Sequence, residues 1–364
     1  MTQQRSAVGD GLRFVRQNWW FVAIVSALVI VPCLWHPHIE AGDLGSHVYN
    51  AWLAQLIGKG QAPGLYLAHQ SHNILFDVSL LHIANLVGFV AAEKIVVSAC
   101  VLIFFWGVFA FVSLVIQRPA WLLTPCVAIL AYGYSFNMGF MNYYVSIGLG
   151  CFCLAIAWPM RWTGGVVDTV GASIFAALAW LAHPIGFFWA LATLGYVAIR
   201  RVLPGWWKAV SPAAAVAIFA GIRWYLHRRT DLTVDWQSGL PFWQSNGSDQ
   251  LMVYGDRYAT LAWMLVLFGM ICFVTEGISR RRDPVWWKAL ALPAELYFVA
   301  MFATAMLPEN LRVSLYAAWI GLLVSRLTTI SAIFGFCVLG CVRPRTWRFA
   351  GFAALAAAYF LYLY

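Results

Sequence analysis

Charged side chains are scarce in this sequence: 23 Lys and Arg with 14 Asp and Glu, 10% of 364 residues. Soluble domains carry roughly 25%, so the scarcity excludes an ordinary water-soluble globule. Also missing are any Cys-X-X-Cys pair, any tandem repeat and any low-complexity tract. The eight cysteines all lie in or beside apolar runs and read as small buried hydrophobes rather than metal ligands or disulfide partners. The lack of a repeat argues against the internal symmetry common in transporters. Apolar residues, by contrast, make up 62% of the chain, and the mean hydropathy is +0.75.

The apolar residues fall in runs of about 17 to 25, the length that crosses a ~30 Å hydrocarbon core as a helix. The runs do not alternate as barrel strands would, and lipid admits only helices or closed barrels. The expected fold is all-α, a polytopic transmembrane helical bundle forming a single domain over 1–364. About eleven crossings are expected: Trp19–Trp35, Ile95–Ile116, Ala120–Tyr134, Tyr143–Met160, Val166–Ala182, Pro184–Arg200, Lys208–Leu226, Ala259–Ile278, Val285–Met306, Arg312–Val342 and Trp347–Tyr364. Arg312–Val342 is too long for one straight crossing, so a kink or partial re-entrant hairpin is expected near Arg326. The first run has no small-residue cleavage site and reads as an uncleaved signal anchor.

A net charge of +9 raises the question of nucleic acid, but the distribution of charge answers it differently. Phe76–Val90 contains Asp77, His82 and Asn85 and reads as an interfacial helix rather than a crossing. With that parity, 15 of the 23 basic residues fall on the side of the N-terminus, among them Arg5, Arg118, Arg161, Arg200 and Arg201. By the positive-inside rule that side is cytoplasmic, so no nucleic-acid partner is expected. The expected location is the plasma (inner) membrane. The opposite face then holds 9 of the 14 acidic residues, including Glu40, Asp43, Asp77, Asp231 and Glu309. Two polar stretches lie there: 36–93, with two interfacial helices, and 227–258.

The first of these opens with His36-Pro-His-Ile-Glu40-Ala-Gly-Asp43-Leu-Gly-Ser-His47-Val-Tyr-Asn50. Leu44, Val48, Trp52 and Leu56 recur at helical spacing and predict an amphipathic helix lying on the membrane surface. Asp43 occupies its N-cap position, and Gly58 and Gly60 end it. Three further polar segments share the outer face: the aromatic turn Tyr134–Tyr144, His183 before Pro184, and Glu309-Asn310-Leu311-Arg312.

Together these segments hold the groups needed to move a sugar from a lipid phosphate to a hydroxyl. A carboxylate accepts the proton of the attacking hydroxyl, and arginines hold the departing phosphate through bidentate contacts. Aromatic side chains stack on the sugar. Arg228, Arg257 and Arg312 are the expected phosphate contacts, with His183, Asn137 and Asn142 completing the substrate-binding set. Plainer readings stand beside each. Capping alone would account for Asp43, Glu40 reads equally well as a solvated loop residue, and His47 as an interfacial one. His183 would patch a broken helix, and Arg228 would touch lipid headgroups. Glu295 lies within an expected crossing and has no assigned role.

The arrangement resembles the GT-C superfamily of membrane glycosyltransferases, which use polyprenyl-phosphate-linked sugars. Three stretches carry the resemblance: Glu40-Ala-Gly-Asp43 with His47 after the first crossing, the segment Asp77–Lys94 with Gly88, and Asn137-Met-Gly-Phe140-Met-Asn142-Tyr143. The resemblance implies Asp43 as catalytic base, supported by Glu40 and His47. It also implies a lipid-linked sugar donor, and a divalent cation (magnesium or manganese) held by Glu40 and Asp43. The turn that carries a second acid in many members has Asn137 and Asn142 here, leaving Asp77 to fill that place. The family's usual soluble C-terminal domain has no counterpart, so the chain is expected to be either a short family member or one lacking a C-terminal piece. Two other classes remain open: a transporter or lipid flippase built around Glu295 and Arg326, and a non-catalytic membrane subunit of an envelope-glycan assembly.

Overall fold

The structure, a computed structural model, describes residues 6–158, 165–229, 232–236, 245–253, 256–313 and 319–364. Arg5, Arg161 and Asp231, and part of the 227–258 stretch, lie outside the described residues. Helix makes up 78% of the residues, as unalternating apolar runs require. Five helices are long and apolar enough to cross a membrane, or six if one bent pair counts as a single span. The chain divides into two compact units, Met1–Phe111 with Ser135–Ala198 and Tyr364, and Val112–Tyr134 with Ile199–Leu363.

The first unit opens with α1 (Ala7–Gln17), followed by α2 (Trp19–Ile30), which a short 3-10 turn extends to Leu34. The two segments meet at 84°, so α1 lies across the direction of α2, as a surface helix would. Its N-terminus is tied down from a distance. Asp168 accepts from the Ser6 hydroxyl (2.6 Å) and from the N–H groups of Ala7 and Val8 (both 3.0 Å). Asp168 therefore satisfies donors that the helix start leaves open. Next come α3 (Leu44–Gly58), α4 (Leu75–Val87) and α5 (Phe89–Val115), which starts after a break at Gly88. At 27 residues and a hydropathy of 2.7, α5 is about 40 Å long, enough to cross a bilayer. The unit continues with α8 (Met141–Ala157), α9 (Val166–Ala182) and most of α10 (Pro184–Val202). Buried residues run continuously along α8 from Met141 to Cys151. A helix buried on all sides is a core element, and α8 is the post on which the polar loops of this unit are hung.

The second unit contains α6 (Thr124–Ala131), α11 (Trp207–Arg228), α12 (Asp256–Ser279), α13 (Pro284–Met306), α14 (Leu323–Leu339) and α15 (Thr346–Leu363). The intervening α7 (Tyr134–Asn137) is a single turn. Three departures from expectation have simple causes. Ala120–Tyr134 yields only an eight-residue α6, about 12 Å long, because Pro125 and Gly133 bracket it. Arg312–Val342 is a strand followed by the 17-residue α14. A three-stranded antiparallel sheet joins β1 (Leu232–Asp235), β2 (Asn310–Val313) and β3 (Trp319–Ile320), a small exception to the all-α expectation. Part of the 227–258 stretch is also buried rather than solvated. Gln250 is fully buried, donating to Ser325 O and Thr328 and accepting from Thr329.

One ion-pair network organises the other end of this unit. Glu276, 1% exposed, binds Arg280 and Arg348 at 2.8 Å each, with Arg343 at 3.8 Å. Arg348 is equally buried, so it belongs to the interior and not to a loop. Removing Glu276 would strand buried cationic charge. The eight cysteines are all free, and seven of them are buried.

Candidate active site

The stretch after α2 is pinned to the turn that precedes α8. Gly42 N–H donates to Asn137 O at 2.8 Å and Asp43 N–H to Met138 O at 2.9 Å. This approach requires glycine at position 139, where φ is +72° and a Cβ would sit 2.4 Å from Asp43 N. Further upstream, Ile39 N–H donates to Glu93 at the start of α5. The backbone around Asp43 is thus fixed from two sides.

Asp43 stands at the N-cap position of α3, but its side chain makes no cap hydrogen bond, and its φ/ψ of −88°/−2° is helical. An N-cap residue normally takes an extended conformation, from which its side chain reaches back to the first-turn N–H groups. The Asp43 carboxylate is therefore spared that task and is 53% exposed.

One turn on, His47 Nδ1 lies 2.7 Å from Asp77 Oδ1 on α4, and its Nε2 lies 3.9 Å from Asp43 Oδ2. Since a carboxylate can only accept, the Asp77 contact places a proton on Nδ1 and directs Nε2 toward Asp43. Asp77 in turn accepts from Asn142 Nδ2 at 2.7 Å. Asn142, 2% exposed, also donates to Asn73 O and accepts from Phe76 N–H, so every hydrogen-bonding group of its amide is used. The result is a polar chain from the buried Asn142 through Asp77 and His47 to the exposed Asp43. Asn142 is its most buried member at 2%, His47 and Asp77 are 13% and 26% exposed, and Asp43 is the most exposed at 53%. Burial alone would lower the His47 pKa. The hydrogen bond and negative charge of Asp77, joined by the charge of Asp43, outweigh it and raise the value above 6.5.

The helices α3 and α4 make this pairing possible by running side by side in the same direction. His47 meets Asp77 and Gln55 meets Asn85, both with a sequence offset of 30. The buried face of α3 is marked by Leu44 and Ala51, each 2% exposed, whereas Trp52 is 42% exposed. At 3.6 residues per turn a repeat of four drifts, so Trp52 lies about 80° around the helix from Leu44.

The remaining expected residues are placed as follows. Glu40 is exposed. Asn137 is 6% exposed, with its carbonyl engaged by Gly42. His183, extended before Pro184, accepts from Ile185 N–H through Nδ1 at 3.2 Å and packs edge-on against Tyr143. That is the helix-patching role. Arg228, Arg257 and Arg312 belong to the other unit. Arg228 lies over Trp224 and Arg257 over Tyr362, while Arg312 sits in β2 opposite Thr233. Glu295 is held by Arg200 at 2.7 Å and Ser211 at 3.0 Å. Among the described residues no group of three or more His, Cys, Asp or Glu side chains is arranged to hold a metal ion.

Sequence reasoning missed the pairing of His47 with Asp77. The repeated offset of 30 between two polar pairs was the available signal, but it becomes visible only once both helices are known to run in parallel. Compared with protein-family models, with curated proteins and with solved structures, the chain finds no match.

Proposed function

We propose that this protein is a membrane glycosyltransferase of the GT-C type. It would cross the inner membrane several times, with its N-terminus in the cytoplasm. It would transfer a sugar from a polyprenyl-phosphate donor to an acceptor on the extracytoplasmic face. The observation that carries the reading is the Asp43 side chain, which is exposed, free of capping and backed by His47, Asp77 and Asn142. An exposed carboxylate on a fixed backbone can accept the proton of an incoming hydroxyl as that oxygen attacks the anomeric carbon. His47, held by Asp77, directs its Nε2 toward Asp43 and steadies its position. Asn142 acts one step further back, as a positioning residue for Asp77 rather than as a substrate contact.

Arg228, Arg257 and Arg312 remain the proposed phosphate ligands. Magnesium or manganese, if used, would be held by the oxygen donors Asp43 and Glu40 together with phosphate oxygens, the donor type that magnesium prefers. Such an ion would neutralise the leaving phosphate. The rival transporter reading would draw on Glu295, whose carboxylate is already engaged by Arg200 and Ser211. A non-catalytic subunit would need neither Asp43 nor His47.

The test uses purified protein in lipid with a polyprenyl-phosphate sugar. Asp43→Asn is expected to lower kcat by about 10²- to 10⁴-fold, with the melting temperature unchanged. Transfer at the wild-type rate would remove Asp43 from the mechanism, and absence of transfer by the wild-type protein with every such donor would sink the reading.

A further inference from the structure

The second unit contains a polar cluster that the proposed sugar transfer does not use. It gathers at the start of α14, where Ser325 and Thr328 stand three residues apart and are neighbours on one helix face. Ser325 Oγ donates to Glu309 Oε1 at 2.8 Å, and Thr328 Oγ1 lies 2.5 Å from Asp249 Oδ2. The Tyr134 hydroxyl is within electrostatic reach of Asp249, Glu309 and Arg326 together. The turn Ser248–Leu251, which brings Asp249 here, packs against α6, α12 and α14. Of these, α6 carries no charged residue, α14 carries only Arg326, and the charges of α12 stand in its first and last turns. The cluster therefore sets two carboxylates against one guanidinium.

Each carboxylate also leaves one oxygen unsatisfied. Asp249 Oδ1 and Glu309 Oε2 are both buried without a hydrogen-bond partner, and Glu309 as a whole is 5% exposed. An ionised carboxylate spreads its charge over both oxygens, so a bare buried oxygen weighs against the charged form. With both groups ionised, the cluster carries one negative charge more than the Arg326 guanidinium balances. One added proton makes it neutral. The Thr328 hydroxyl allows that proton to bind without moving a heavy atom. Its single hydrogen has two acceptors in reach, Asp249 Oδ2 and, at 3.1 Å, Ser325 O. Beside ionised Asp249 the hydroxyl donates to the carboxylate. Beside the neutral acid it accepts from Asp249 and turns its own hydrogen to Ser325 O. Gln250 Nε2 keeps its bonds to Ser325 O and Thr328 in both states.

We propose that Asp249 and Glu309 form a site for one proton, carried on Asp249 while Glu309 stays ionised. Asp249 is the carrier because its hydroxyl partner can reverse direction, whereas Ser325 donates to Glu309 and so favours the charged form there. Burial acts the same way, raising the Asp249 pKa from 3.8 to about 7 against the hydrogen bonds of Thr328 and Gln250, which lower it. The site belongs to the second unit alone and stands whether or not sugar transfer occurs.

The test is infrared difference spectroscopy of the purified protein in lipid, titrated from about pH 5 to about pH 9. Ordinary carboxyl groups, with values near about 4, are already ionised across most of this range. The wild type is expected to lose the carbonyl stretch of one protonated carboxyl group, with a midpoint at about pH 7. Asp249→Asn should abolish that band. Glu309→Gln removes a negative charge and should move the midpoint down by about half a unit or more. Thr328→Val removes a hydrogen bond that is stronger to the ionised form, and should move the midpoint up by about one unit. These opposite shifts test the site even where Asp249→Asn fails to fold. No titrating band in the wild type, a band unchanged in Asp249→Asn, a midpoint unmoved by both other variants, or a midpoint that depends on sodium concentration would each overturn the proposal.

Discussion

The Asp43 backbone is anchored through its own N–H to Met138 and through Gly42 to Asn137, so a turn rather than a cap sets the direction of its carboxylate. That arrangement rests on Gly139. An alanine there would place its Cβ 2.4 Å from Asp43 N at a φ of +72°, a conformation only glycine adopts at low cost. Gly139→Ala should therefore cost more than about 1 kcal/mol. It should lower both the melting temperature and the rate of sugar transfer, because the Asp43 backbone must move. A variant that melts and turns over like the wild type would show that the turn does not position Asp43. Of the residues singled out from the sequence, Asp43 and His47 prove adjacent. Asn137 and Asn142 were legible as polar residues in an apolar setting, but their buried, internally bonded state was not. A buried amide and a solvated one look the same in one dimension.

At the scale of elements, the pairing of α3 with α4 depends on a charge that pH controls. The raised pKa of His47 means that the folded state binds its proton more tightly than the unfolded chain does. Its stabilisation is complete below the unfolded value near 6.5 and is lost as pH rises through the folded value. Melting temperature measured across this range should fall as pH is raised above about 6.5 in the wild type. Asp77→Asn removes the partner that raises the pKa and should flatten the fall, so superimposable profiles would contradict the pairing. A second element, α1, is held by Asp168 from the start of α9. Losing that carboxylate strips three donors of their acceptor, and Asp168→Ala is expected to cost about 1–2 kcal/mol, read as a lower melting temperature. Arg13 and Arg16 are among the 15 basic residues counted on the side of the N-terminus. That they lie on a helix bent 84° from α2 was not visible in the sequence, because the bend at Asn18 interrupts an otherwise continuous run of helix-compatible residues.

Over the whole molecule, the two compact units divide the expected machinery. The carboxylates, His47 and His183 fall in one, and Arg228, Arg257 and Arg312 in the other. The contact of Asp168 with Ser6 places the start of α9 beside the N-terminus. The proposed orientation is tested with cysteine substitutions, since seven of the eight native thiols are buried. A membrane-impermeant maleimide applied to intact cells should label Ser46→Cys and leave Arg281→Cys unlabelled. The reverse pattern would invert the topology. By itself the sequence determined that this is a helical protein rich in membrane-length apolar segments, with its polar groups gathered in a few loops, because length and hydropathy are additive along the chain. Only the tertiary structure decided that Asp43 does not cap α3, that His47 meets Asp77, and that the segment around Gln250 is buried. Each of these depends on which residues the fold brings within hydrogen-bonding distance across gaps of 30 to 80 positions, a choice made by packing. The cluster after the first apolar run thereby becomes a positioned carboxylate with a defined histidine behind it.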